Sequence, residues 1–238
     1  MKRTTIYLFI VLVGAGVTAC SSSFPSKWNS DTVAVENSQS SVSAIDSLVF
    51  PYREGLKDEM NEVIGYCPQD LEKARPCSPL NNWAADALYF EYKEKLDMNS
   101  NCLVLLNVGG LRSRFNKGRL SVGDIYSFMP FDNNVVVVRM PMSVLPDIER
   151  YLVASGGEPI ANARLIGGKL IFSEQNTDAD EFIILTSDYL ANGGDKMTFF
   201  EKSLEKTDLG DLLRDVFLNQ VKAQDTLKID NTCRIHVD

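Results

Sequence analysis

Apolar and polar positions change period several times along this chain, and each change marks an element. Leu56, Met60 and Val63 fall at spacings of four and three, which predicts a helix from about Tyr52, after Pro51, to Ile64, ended by Gly65. A loop from Pro68 to Pro79 follows, and a second helix begins at Asn82 and lasts to about Leu96. Leu103 to Leu106 is a short apolar run of strand type. Val135 to Met140 is a β-branched run that predicts a strand buried on both faces. Ser143 is placed to cap a helix from Val144 to about Val153, with Pro146 in its first turn where a missing N–H costs little. Arg164 to Phe172, broken at Gly167-Gly168, reads as a hairpin, and Phe182 to Thr186 as a strand ending at Tyr189. Leu209, Leu212, Leu213, Val216, Phe217 and Val221 draw one apolar stripe on a closing helix, and Leu227 to Val237 suits a last strand. No internal repeat is visible. Helices and strands mix without regular alternation, so the predicted class is α+β, a mixed sheet flanked by helices.

The N-terminus has a different character. Met1-Lys2-Arg3 is basic, Ile6 to Val17 is apolar but short for a membrane span, and Val17-Thr18-Ala19-Cys20 closes it with small residues and a cysteine. This looks like a bacterial lipoprotein signal, which implies cleavage after residue 19 and a lipid on Cys20. The alternatives are an ordinary secretory signal or an uncleaved anchor. Residues 20–43, rich in serine, read as a tether, and residues 44–238 as one domain. The expected address is the bacterial cell envelope, at the periplasmic face of the outer membrane.

Removing residues 1–19 takes away Lys2 and Arg3, leaving 22 of the 24 basic residues against 32 acidic ones, a net charge of −10. A surface of that sign argues against nucleic acid as a partner class. Cys67, Cys77, Cys102 and Cys233 remain after Cys20. Cys67 with Cys77 is the favoured pair, because both lie in a polar, proline-containing segment, while Cys102 opens an apolar strand. No cysteine spacing forms a zinc clip.

Two strands end in the same unusual way. Leu103 to Leu106 breaks at Asn107-Val108-Gly109-Gly110-Leu111-Arg112, and Ile183 to Thr186 leads to Tyr189-Leu190-Ala191-Asn192-Gly193-Gly194-Asp195. Paired glycines bring bare backbone close to a ligand, and an aromatic ring beside a carboxylate suits a flat polar one. Between them lies Met129-Pro130-Phe131-Asp132-Asn133. Singly, Phe131 could be a core plug and Arg112 a surface charge. Taken together and in this order, with Leu80, Asn82, Asp86 and Ala87 on the second helix, these motifs resemble the C-terminal, substrate-binding domain of the 5'-nucleotidase family over about residues 44–235.

The resemblance implies roles. Phe131 and Tyr189 would sandwich a base and Asn133 would read its edge. Asp195 would accept from ribose hydroxyls, and Asn107 and Arg112 would face the phosphate or its approach. Gly109, Gly110, Asn192 and Gly193 would shape the backbone around the ligand. Val108 departs from the pattern, standing where the family usually has the first of three glycines. Arg75 and Arg114 could supplement Arg112. The family's hydrolysis resembles two-metal catalysis, which needs several His and Asp ligands, and this chain has a single histidine, His236, near its end. No catalytic residue and no cofactor is therefore assigned to this chain, and divalent metals are expected only in a partner. The implied function is the nucleotide- or nucleoside-binding half of a split 5'-nucleotidase whose metallophosphoesterase is a separate chain. The alternatives are a non-catalytic binding lipoprotein for scavenging or sensing, and a structural interaction module.

Overall fold

The structure, a computed structural model, describes residues 43–96, 101–174 and 176–236. The leader, Cys20 and the tether up to residue 42 lie outside the described residues, as does Val237.

A helix, α1 (Ser43–Met60), leads into β1 (Val63–Cys67), which pairs antiparallel with β3 (Gly118–Ser121). The predicted helix to Ile64 is therefore corrected: it starts earlier, runs through Pro51 and stops at Met60. Gly65 is no helix stop but a strand residue in close contact, since a Cβ there would meet Val221 Cγ1 at 2.6 Å. Next, α2 (Pro79–Tyr92) is capped by the Ser78 side chain, which accepts from Asn81 N–H, and it ends four residues before the expected Leu96.

The main sheet has five strands in the order β5-β2-β8-β4-β9, where β2 is Cys102–Leu105, β4 Asn134–Pro141, β5 Ile160–Ala161, β8 Glu181–Ser187 and β9 Glu205–Leu212. β2 and β8 run parallel, with Leu103 opposite Ile184, and the other neighbours are antiparallel. Alternate residues feed two cores, as the two-residue period of a strand requires. Cys102, Val104, Val135 and Leu185 pack with α2, α3 (Val122–Phe128) and α6 (Leu213–Gln224). Leu103, Leu105, Val136, Val138 and Ile184 pack with α4 (Leu145–Ala154), the hairpin of β6 (Ala163–Ile166) and β7 (Lys169–Phe172), and Phe199 and Phe200. The result is a sheet with a core on each face, the α+β class expected from the sequence. On the first face Trp83, buried, makes ring contacts with Phe115, Phe128 and Phe217 at centroid distances of 5.3, 6.0 and 5.6 Å.

Several boundaries differ for identifiable reasons. β4 is buried on one face throughout, but its other face opens along the strand until Arg139 is exposed between Glu181 and Glu205. Ser143 falls within a 3₁₀ turn, Met142–Val144, and α4 starts after it without a side-chain cap. Leu209 and Leu212 belong to β9, so the apolar stripe assigned to one helix spans a strand and then α6.

Among the described residues the C-terminal segment forms no strand. It meets the fold through isolated bridges, Thr226 beside Tyr66 and Ile235 beside Leu165, and is stitched along α2. Asn82 Nδ2 donates to the carbonyls of Asp230 and Thr232, and the Arg234 guanidinium forks onto both Asp86 oxygens at 2.7 Å. This route explains the disulfide, which joins Cys77 to Cys233 with Cα atoms 5.5 Å apart. The expected Cys67–Cys77 pair is corrected: Cys67 is buried in β1, where its Sγ–H donates to Gln69 O. Burial pushes the Cys102 thiol up to about 12.

Candidate functional site

Strand directions assemble the site. Because β2 and β8 are parallel, the turns that follow them leave from the same edge of the sheet. β4 is antiparallel to β8, so the segment that precedes it, Phe131 to Asn133, arrives at that edge too. There a pocket of about 350 Å³ is lined by Asn107, Gly109, Gly110, Arg112, Phe131, Asn133, Tyr189 and Asp195. Two of the residues singled out in the sequence stay off its wall. Asn192 closes the short helix α5 (Asp188–Ala191), its N–H donating to Asp188 O, and Gly193 turns the chain at φ 88°. Tyr189 lies in the first turn of α5 rather than at a strand end.

Phe131 and Tyr189 are 39% and 47% exposed at the pocket mouth, whereas seven of the other described phenylalanines are buried in the two cores and Phe50 and Phe90 are exposed elsewhere. The Arg112 guanidinium stands 5.8 Å from the Phe131 centroid, while its Nη1 donates to Gly109 O. Behind Phe131, Asp132 pairs with the buried Arg214 at 2.8 Å, and Leu213 N–H donates to Asn133 O. Arg214 itself lies over the Tyr126 ring at 4.3 Å.

Asp195 is the most heavily constrained residue of the mouth. It has φ 50° and is followed by Lys196 at φ 65°, two consecutive non-glycine residues in the left-handed region. Such backbone persists only where its surroundings over-determine it. Asn107 Nδ2 donates to Asp195 Oδ2 at 2.6 Å, Tyr189 Oη donates to Oδ1 at 2.9 Å, and Tyr151 Oη donates to the backbone oxygen at 3.1 Å. Asn107, expected to face a phosphate, is thus turned toward Asp195. Tyr151 was not singled out by sequence, since it reads as one residue of an ordinary amphipathic helix. Burial, with the charges of Glu158 and Asp195 behind it, pushes its phenol up to about 12.

The Gly109-Gly110 loop is gripped from beneath by residues that sequence motifs do not flag. Glu158, buried, accepts Val108 N–H at 2.7 Å and pairs with Arg75. Lys73 Nζ donates to the carbonyls of Val108 and Leu111. Burial, then the neighbouring Arg112 and Arg75, pull the Lys73 ammonium below its usual value. Arg75 is therefore committed behind the loop, and Arg114 pairs with Glu72 on the surface. Among the described residues, no three His, Cys, Asp or Glu side chains are grouped to hold a metal ion.

Gly194 sets the Tyr189 ring. A Cβ at this position would lie 2.5 Å from Tyr189 Cε1 and 2.6 Å from its backbone oxygen, so ring and backbone cannot both stay. Overpacking of this kind costs about 1–3 kcal/mol. Gly194→Ala is expected to lower the thermal midpoint while leaving the far-ultraviolet spectrum unchanged. A midpoint equal to that of the parent chain would mean that the ring is free to step aside.

Comparison with known proteins bears on the fold. Residues 63–147 match the family described as 5'-nucleotidase, C-terminal domain. A trifunctional nucleotide phosphoesterase of Bacillus subtilis (strain 168), YfkN, is 24% identical over an alignment covering 72% of this chain and 13% of that protein. Among solved structures, a 5'-nucleotidase precursor from Thermus thermophilus superposes with a TM-score of 0.65 at 19% identity, covering 80% of this chain and 42% of that one. The NAD nucleotidase of Haemophilus influenzae gives 0.60 at 18%, covering 81% and 41%. The chain thus spans less than half the length of each of these relatives.

Proposed function

We propose that this chain, whose residues 63–147 match the 5'-nucleotidase C-terminal domain, is the nucleotide- or nucleoside-binding half of a split enzyme in nucleotide breakdown, completed by a metallophosphoesterase on a separate chain. The observation that carries the proposal is the convergence of two exposed rings, Phe131 and Tyr189, with Asn133, Arg112 and Asp195 around one pocket. A nucleobase presents two π-faces and a hydrogen-bonding edge, and a ribose presents hydroxyl donors; rings, an amide and a carboxylate are their complements. The partner chain supplies the divalent metals and the water that hydrolysis needs, and this chain selects what is held against them.

The test is calorimetric titration of the chain without residues 1–19, carrying Cys20→Ser, with adenosine, AMP and UDP-glucose. Saturable binding to at least one of them supports the reading. No binding by any of them, before and after addition of a candidate phosphoesterase, overturns it.

The proposal extends to location. With a lipid on Cys20, the protein is tethered to the bacterial envelope, outside the cytoplasm. Cells fed radiolabelled palmitate are expected to label the parent chain and not the Cys20→Ser variant. An unlabelled parent chain would remove the lipid anchor.

A further inference from the structure

Glu158 is an unusual residue to find beneath a ligand-site loop. It is 2% exposed, no sequence motif marks it, and a buried carboxylate is costly unless its oxygens are fully engaged. Its position explains what engages it. β5 and β2 pair through Val104 with Ala161 and Leu105 with Ile160, and the ladder continues with Leu106 N–H donating to Pro159 O. One step further, the next donor facing this way is Val108 N–H, and it is met by the Glu158 side chain, Oε2, at 2.7 Å. The carboxylate thus prolongs the ladder beyond the end of the strand and into the Asn107–Arg112 loop. Its other oxygen, Oε1, pairs with Arg75, whose Nε is fixed by Gly157 O at 2.9 Å.

We propose that Glu158 is a positioning residue of the pocket, holding the Val108 peptide so that Asn107 meets Asp195 and Gly109 and Gly110 face the ligand. Val108 is held on both sides, the N–H of the Asn107–Val108 peptide by Glu158 and the carbonyl of the Val108–Gly109 peptide by Lys73. Asn107, one residue before, then places its amide on Asp195 Oδ2. The room for error is small: a Cβ on Gly110 would lie 2.6 Å from Asn107 Oδ1. A loop this close to its neighbours transmits a rotation of the Val108 peptide directly to the pocket wall. Replacing Glu158 by alanine frees both the N–H and Arg75, whereas glutamine keeps an acceptor oxygen for Val108 and sets its NH2 against Arg75 in place of Oε1.

The inference rests on the nucleotide-site reading for its affinity arm but not for its structural arm. In the Cys20→Ser chain without residues 1–19, amide proton NMR is expected to show that E158A strips exchange protection from Val108 and shifts the Gly109 and Gly110 resonances, while E158Q leaves all three near their parent positions. With the same nucleoside or nucleotide that binds the parent chain, E158A is expected to weaken binding about tenfold and E158Q by less than threefold. A folded E158A with unmoved Gly109 and Gly110 amides, or with parental affinity, overturns the proposal and leaves Glu158 a stabilising residue only. If E158A does not fold, E158D decides: it keeps a charge for Arg75 but is one methylene too short to hold Val108 N–H in place, and is expected to shift the Gly109 and Gly110 amides and weaken binding severalfold; unmoved amides or parental affinity in that variant overturn the proposal equally. If the parent chain binds no ligand, the function proposed above fails, and the amide shifts still decide the role of Glu158.

Discussion

Phe131→Ala is expected to weaken nucleoside binding roughly 5- to 150-fold, since removal of a stacking ring costs about 1–3 kcal/mol per base and each 1.4 kcal/mol is a factor of ten. The ring lines the pocket, is 39% exposed and adds little to either core, so its loss should change affinity with little change in stability. Tyr189→Ala is expected to cost at least as much. It removes a ring and also the hydroxyl that donates to Asp195 Oδ1 and accepts Asp195 N–H. Tyr189→Phe separates the two contributions, because it keeps the face and frees only the carboxylate. Titration of the three variants against one ligand gives the comparison. If Phe131→Ala and Tyr189→Ala both bind as the parent does, no base lies between these rings.

The second large effect concerns stability. The Cys77–Cys233 bond closes a sequence separation of 156 residues, nearly the whole described domain. A loop of this length corresponds to about 5 kcal/mol of chain entropy taken from the unfolded state, at the upper end of what removal of native disulfides costs. A Cys77→Ser/Cys233→Ser double variant is therefore expected to lose several kcal/mol in denaturant unfolding. The loss should be concentrated where the bond acts, on the segment that carries Arg234 onto Asp86. A loss below about 1 kcal/mol would mean that the hydrogen bonds from Asn82 and Arg234 already hold the tail without it.

The parts of this molecule that follow local rules are legible in its sequence. The β6–β7 hairpin, the two apolar strands with their paired glycines and the Phe131 segment were found where expected. Eight of the ten binding residues expected from the motifs line one pocket. What could not be read was fixed by distant partners. Val63 continues a helical spacing, yet pairs with Ser121, more than 50 positions away in β3. Leu209 and Leu212 fit the stripe of α6 but are claimed by the edge of the sheet. Cys67 and Cys77 share a loop in sequence, and the partner of Cys77 comes instead from the chain's end. Glu158, Lys73 and Tyr151 look like ordinary residues of a loop or helix, and only the fold reveals that they brace the pocket.

The aromatic cluster around Trp83 has an optical consequence. The chain has two tryptophans, and Trp28 precedes the described residues, so Trp83 is the single indole of the domain. It is 1% exposed, surrounded by three phenylalanine rings, and its Nε1 has no hydrogen-bond partner. An indole without a polar partner, shielded from water, emits at the blue end of its range. In a chain cut just ahead of residue 43, red-shifted emission would therefore announce that the α2–α6 side of the core has opened, whereas occupation of the pocket would leave the colour unchanged.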